Sequence, residues 1–453
     1  MTPFRENGSG YMLGIDLGTT SVSLTVVSVD DGKSVYTVSK EYENRPSDDE
    51  YRLDTEGIFV LAESLISSAA EQYRIASIGV TGQMHGIALT DGSGKPVSPF
   101  YTWQSRLGER KTENGKTVSE EIEYRCGKII PTGYGINTYY ALRSFGRLPQ
   151  NAEGIAALPD LFVSRLTGKK PLSHPTNAAS LGAFDLKTLD FDKNTLGLLG
   201  ISRSVLPEVT GDFRLSGTWK HNGEKIPVAV SIGDNQAGIF GAVPNSRDGF
   251  INVGTSSQVS LVCEDPDRAG DVRPYFGGKY IVSGAGLCGG RSYAILKDFV
   301  ASVLAEFGYK ITSDKIYSLL NKYAENDDNK GLRVDTRFCG TRRDPSVRGC
   351  VSGIGADGLS LRSLAPAFLR GIADELAQMY GEIDPERNCK RFAAAGNAIR
   401  RCPPLARFCR EALGGEVVIP AHTEEAAFGA ALYGGIGAGL INENDRKRMI
   451  RFI

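Results

Sequence analysis

Asp16 closes an apolar run, Tyr11–Leu17, and is followed by Gly18, Thr19, Thr20 and Ser21. A carboxylate at a strand end can hold Mg²⁺, usually through water. Glycine lets backbone approach a phosphate, and the turn's N–H and hydroxyl groups donate to it. The pattern recurs about half a chain later as Asn252-Val253-Gly254-Thr255-Ser256-Ser257, with Asn252 in the place of Asp16. A single copy reads equally well as an ordinary strand-end turn. The recurrence favours a polyphosphate clamp, with Gly18, Thr19 and Thr20 in one copy and Gly254, Thr255 and Ser256 in the other. It predicts a duplicated, two-lobed ATP-dependent phosphotransferase. The motif alone does not separate a kinase from a chaperone-like or filament-forming ATPase.

Two further constellations follow apolar runs. Ile232-Gly233-Asp234-Asn235-Gln236-Ala237-Gly238 ends a strand-like segment and opens a small-residue helix. A carboxylate at the C-terminal end of a strand is well placed for catalysis. Asp234 also suits the N-cap of that helix, and the two roles are compatible. Thr81-Gly82-Gln83-Met84-His85-Gly86 follows a second buried run. It reads as a turn with a half-buried Met and His, or as a reader of a polyhydroxylated ligand. Amide and imidazole groups both donate and accept, which suits sugar hydroxyls. Trp103 and Gln104 add a flat face and another amide.

The elements that must carry these residues follow from length and pattern. A chain of 453 residues exceeds one ordinary core, so two domains are expected, at 11–241 and 242–453. In the first, strands are predicted at 11–17, 22–29, 35–43 and 75–81. A helix over 56–73 presents Ile58, Leu61, Ala62, Leu65 and Ala69 on one face. Segments 86–104 and 115–190 read as insertions on that frame. In the second, the repeated hairpin at 250–262 leads to a strand at 279–283 and helices at 291–307 and 361–382. A short run, Arg391–Ala395, then ends in Gly396-Asn397, in the place of Gly82-Gln83. A last helix at 424–439 is rich in small residues.

Composition narrows the partners. Lys and Arg number 52 against 53 Asp and Glu, giving a net charge of −1, with 41% hydrophobic residues. That balance argues against a nucleic-acid surface. Residues 1–10 lack the apolar stretch of a secretory signal, and no run approaches a membrane span. The eight cysteines form no CxxC pair and do not cluster with the four histidines. The expectation is a cytoplasmic protein with reduced thiols, no structural zinc and no membrane partner, as a monomer or homodimer.

The strand and helix order resembles the ribonuclease-H-like domain of the actin, Hsp70 and sugar kinase superfamily. Over about residues 11–440 the chain resembles the FGGY carbohydrate kinases. Gln83-Met84-His85-Gly86 resembles their ketose branch, and Gly233-Asp234-Asn235-Gln236-Ala237-Gly238 their catalytic segment. Thr102-Trp103-Gln104, Gly133-Tyr134-Gly135 with Thr138, Asn177-Ala178-Ala179-Ser180, Gly289-Gly290 and Gly340-Thr341-Arg342-Arg343 bring it closest to the sedoheptulokinases. The resemblance implies two ribonuclease-H-like α/β domains around a central cleft, using ATP and Mg²⁺. It makes Asp234 the general base and Asp16 the Mg²⁺ holder through water. Gly290, Gly396 and Asn397 would line the adenosine site, and Gln83, Met84, His85, Trp103, Asp234 and Asn235 would face the sugar. Ala394 and Ala395 depart from the family's glycine-rich adenine turn. Arg342 and Arg343 fit either a phosphate contact or a structural loop.

Overall fold

The computed structural model describes residues 10–42, 50–341, 344 and 346–453. Arg342, Arg343 and the end of the strand expected at 35–43 lie outside them. The chain divides into two compact units, each built on a mixed sheet.

In the first unit the strands are β1 (Tyr11–Leu17), β2 (Ser21–Ser28), β3 (Ser34–Glu41), β4 (Ile75–Gly82), β5 (Leu215–His221), β6 (Glu224–Ala229) and β7 (Ile232–Gly233). They run in the order β5-β6-β4-β1-β2-β3, with β7 also pairing β4. β1 is antiparallel to β2 and parallel to β4. Helix α1 (Thr55–Gln72) starts at Asp54, whose side chain accepts from the backbone of Glu56 and Gly57. Its buried Ile58, Ala62, Leu65 and Ala69 join the core made with β1, β2 and β4. The insertions between β4 and β5 build a second apolar cluster that includes Ile87, Tyr101, Ile136, Leu181 and Leu206.

The apolar run at 226–232 is not one strand. It breaks after Ala229, where the Val230 N–H turns to the Arg214 carbonyl, and resumes as β7. Helix α2 (Asp234–Ala242) follows at once.

The second unit holds β8 (Gly249–Val253), β9 (Ser257–Cys263), β10 (Asp271–Pro274), β11 (Tyr280–Gly286), β12 (Arg391–Ala395) and β13 (Glu416–Val418), in the order β10-β11-β9-β8-β12-β13. β8 is antiparallel to β9 and parallel to β12, the pairing that β1 makes with β2 and β4. The duplication seen in the two Gly-Thr turns therefore extends to the sheets. The long helix Leu361–Ile383 packs on β9 and β11. An unanticipated helix, Ser313–Glu325, buries only Ile316, Leu320 and Ala324.

The units do not follow the expected boundary throughout. The chain leaves the first unit after Pro244, close to residue 242, but segments 273–279 and 422–450 belong to the first unit as well. The reason lies in helix α3 (Glu425–Gly437). A Cβ on Gly14 of β1 would collide with the Ala427 carbonyl, and one on Gly79 of β4 with the Ala430 carbonyl. Glycine in the strands lets the helix backbone lie directly on the sheet, so α3 completes the first core. Among the described residues no helix is long and apolar enough to cross a membrane. All eight cysteines are free thiols.

Candidate active site

Three parallel strand ends bring the carboxylates together. Asp16 of β1 pairs with Thr81 of β4, and Ile232 of β7 pairs with the same Thr81. Asp234 comes two residues later and opens α2, so it lies beside Asp16 at the C-terminal edge of the sheet. Burial pushes the Asp234 carboxyl up to about 6, against the pull of the Asn235 N–H and the Arg273 guanidinium. The Asn235 N–H donates to Asp234 Oδ1 at 2.7 Å. Asp16 is driven further, to about 8, by burial and then by the negative charges of Asp234 and Glu424. Asp16 Oδ1 is enclosed and has no hydrogen-bond partner.

A divalent cation fits this arrangement. Asp16, which feels the negative charges of both Asp234 and Glu424 and has an orphaned oxygen, offers the hard oxygen donor that Mg²⁺ prefers. Among the described residues no three His, Cys, Asp or Glu side chains converge closely enough to cage an ion. Coordination through water from Asp16 suits that spacing.

The turn after β1 is tied to its surroundings. The Gly18 N–H donates to the Ser21 carbonyl at 3.0 Å. The Gly18 carbonyl accepts from the Tyr42 hydroxyl at 2.8 Å and from Gln83 Nε2 at 3.3 Å. Trp103 Nε1–H donates to Thr19 Oγ1 at 3.1 Å. Gln83 is buried and its Oε1 has no partner. Trp103 keeps 47% of its surface exposed. Met84 is buried with its sulfur close to Gly233, so it supports the strand under Asp234.

His85 has a left-handed backbone, φ 75°, which costs energy in a non-glycine residue. Its partners show what holds it there. The backbone N–H donates to Ser180 Oγ at 3.0 Å, and Nδ1 lies 2.9 Å from the Ser180 carbonyl. A carbonyl only accepts, so Nδ1 carries a proton and Nε2 is the acceptor of the neutral ring. The ring stacks on Tyr134 at 4.2 Å. The Trp103 backbone packs on Gly133. Strings far apart in sequence, at 83–85, 103, 133–134 and 180, therefore meet in one corner.

In the second unit the matching turn is backed by glycines. The Gly254 N–H donates to Ser256 O at 3.0 Å, and the Gly254 carbonyl accepts from Gly290 N at 2.9 Å. Thr255 O accepts from Arg291 N at 3.2 Å. Thr255 and Ser256 are exposed, and a Cβ on Gly254 would meet nothing within 4 Å. Asn252 pairs with Ala395 of β12 as Asp16 pairs with Thr81. Gly396-Asn397 thus stands where Gly82-Gln83 stands. Gly396 has φ 94°, and a Cβ there would press on the Val253 carbonyl at 2.5 Å. The exposed Asn397 opens the short helix Asn397–Arg401.

The sequence did not reveal Tyr42, Arg273 or Glu424 as neighbours of the site. None stands in a motif. Glu424 and Arg273 reach Asp16 and Asp234 on segments that return to the first unit late in the chain.

Family models described as the N-terminal and C-terminal domains of the FGGY family of carbohydrate kinases match residues 11–241 and 249–438. The chain belongs to the FGGY family of carbohydrate kinases. It is accordingly a sugar kinase. It is 27% identical to the sedoheptulokinase of Mus musculus, over 93% of this chain and 96% of the relative. A glycerol kinase of Shewanella amazonensis is 26% identical over 97% and 92%. Among solved structures, ligand-bound xylulose kinase from Lactobacillus acidophilus superposes with a TM-score of 0.84 at 18% identity, covering 98% of this chain and 92% of that one. Glycerol kinase from Plasmodium falciparum with ADP gives 0.79 at 19%, covering 96% and 91%. At those identities the structures establish the shared FGGY fold and leave the sugar open.

Proposed function

We propose that this FGGY kinase transfers the γ-phosphoryl group of ATP to the terminal hydroxyl of a ketose, with sedoheptulose giving sedoheptulose 7-phosphate as the leading substrate. The observation that carries the ketose reading is the corner around His85. There Gln83, Trp103, Tyr134 and Ser180 set an acceptor nitrogen, an amide and flat apolar faces side by side. The sedoheptulokinase relatives, aligned over nearly their whole length, support the seven-carbon substrate.

In this reading Asp234 takes the proton from the attacking hydroxyl. Its raised affinity for protons suits a general base working near neutrality. Gln83, His85, Trp103 and Asn235 orient the sugar. Gly18, Thr19 and Thr20 of the first unit's turn hold phosphate, and Gly254, Thr255 and Ser256 repeat that role in the second unit. Gly290, Gly396 and Asn397 serve the nucleoside. Asp16 holds Mg²⁺ through water, and the ion would neutralise charge developing on the transferred group. The reaction is assigned to the cytoplasm.

A site built to hydrogen-bond hydroxyls discriminates against ligands that lack them, because its own polar groups stay buried and unpaired. Coupled ADP-release assays across a panel are expected to give a higher kcat/KM for sedoheptulose than for xylulose, ribulose or glycerol. Xylulose as the best substrate would overturn the sedoheptulose assignment and leave the kinase standing.

A further inference from the structure

The peptide joining Ile232 to Gly233 is held at both ends. Its carbonyl accepts from Thr81 Oγ1 at 2.7 Å, and its N–H donates to Thr176 Oγ1 at 3.0 Å. The next residue is Asp234. Behind Thr176 the bonding continues. Thr176 Oγ1 lies 2.9 Å from His174 Nδ1, and the Thr176 N–H donates to the same nitrogen at 3.2 Å. A nitrogen that accepts a backbone N–H carries no proton of its own, so the threonine hydroxyl donates to it as well. The ring proton is then on Nε2, which donates to Asp212 Oδ1 at 2.8 Å. Asp212 Oδ2 accepts from the Gly277 N–H at 2.8 Å.

Every donor and acceptor in this chain has one direction. Thr81, Thr176 and His174 are fully buried. The imidazole is walled by Phe276 at 5.5 Å and by the edge of Tyr433 at 5.8 Å. Capping one N–H needs only a carbonyl or a water. Burying a whole imidazole and tying it to a carboxylate that still reaches solvent costs desolvation that a simple cap would not incur. What the pair adds is a fixed tautomer, and with it a fixed orientation of the threonine hydroxyl.

We propose that Asp212, His174 and Thr176 are positioning residues that set the 232–233 peptide and thereby the reach of the Asp234 carboxylate. The proposal rests on the assignment of Asp234 as the base. Displacement of a reacting group by about 1 Å can cost about 100-fold in rate, so the effect belongs in kcat and not in binding.

Thr176→Val keeps the shape and removes the hydroxyl. It is expected to lower kcat by about 10- to 100-fold, with the KM values for sugar and ATP within about threefold of the parent. Thr176→Ser restores kcat to within about threefold, a rescue that loss of packing would not give. In an Asp234→Asn background Thr176→Val is expected to have almost no further effect, because the group it positions is gone. A Thr176→Val enzyme with parental kcat overturns the proposal. So does one that slows the Asp234→Asn enzyme by the same factor as the parent. If Thr176→Val does not fold, Asp212→Asn decides, at the half-exposed end of the chain. A fall in kcat at constant KM supports the relay, and unchanged kcat overturns it. Asp234→Asn alone retaining parental turnover would instead sink the base assignment.

Discussion

Asp234 and Asp160 are both carboxyls raised by burial, yet they differ in what they can do. Asp234 sits at a strand end with its proton affinity near 6. As a general base it must be ionised, so kcat/KM should rise about tenfold per pH unit below about 6 and level off above it. A wild-type profile that is flat between pH 5 and 7 would refute the assignment. Asp160 is fully enclosed, hydrogen-bonded to Ser231 and to Asn177 Nδ2, and pushed up by burial to about 7. The folded carboxyl binds a proton more tightly than the unfolded one, whose ordinary value is 3.8. Its contribution to stability is therefore full below that value and is lost as pH rises towards about 7. Asp160→Asn has no such loss. The Tm of the parent relative to the variant should fall between pH 5 and 8, and a difference independent of pH would contradict the buried-acid reading. Asp16, Asp234 and the two Gly-Thr turns were legible because each motif is contiguous and follows an apolar strand. Asp160, His174 and Asp212 were not. Their partners come from distant strands and loops, and no local spacing marks them.

Most strands of the two sheets were legible to within a few residues as apolar runs, but Leu215–His221, Asp271–Pro274 and Glu416–Val418 were not. The break at 230–231 was not, since its cause is a hydrogen bond to Arg214 and the turn of Ser231 towards Asp160. Helix Ser313–Glu325 also escaped notice, as its narrow buried stripe sits among many polar residues. The small residues of α3 were visible as a packing signal, but their partner was not. They meet the backbone of β1 and β4 through Gly14 and Gly79. Backbone cannot rotate away from an added methyl group. Gly79→Ala should therefore cost at least about 3 kcal/mol, the upper end for an overpacked core. Gly197 in the helix Lys193–Leu198 has open space around its missing Cβ. Gly197→Ala should be neutral or stabilising by about 0.4–1 kcal/mol. Chemical denaturation of both variants tests the contrast. Equal stabilities would show that α3 does not depend on this close approach.

Length and the repeated turn indicated two domains, and the matching strand orders bear out the duplication. A linear reading could not indicate that the chain returns. It leaves the first unit after Pro244, contributes 273–279, and comes back at His422 for α3 and the helix Glu443–Met449. That return supplies more than cover. Arg446, buried, donates to the carbonyls of Phe240, in the last turn of α2, and Val243, directly after it. The Tyr433 hydroxyl accepts the Phe213 N–H at 2.7 Å. Without residues 422–450 one face of β1 and β4 would lie bare, and an exposed apolar face of that size favours association over folding. A fragment ending at Pro244 should therefore aggregate or show the loose packing of a molten globule. The same fragment carrying residues 422–450 on a flexible linker should give dispersed amide resonances and a cooperative thermal transition. If the short fragment folds cooperatively by itself, the first core is complete without α3, and the returning segment is an accessory to it.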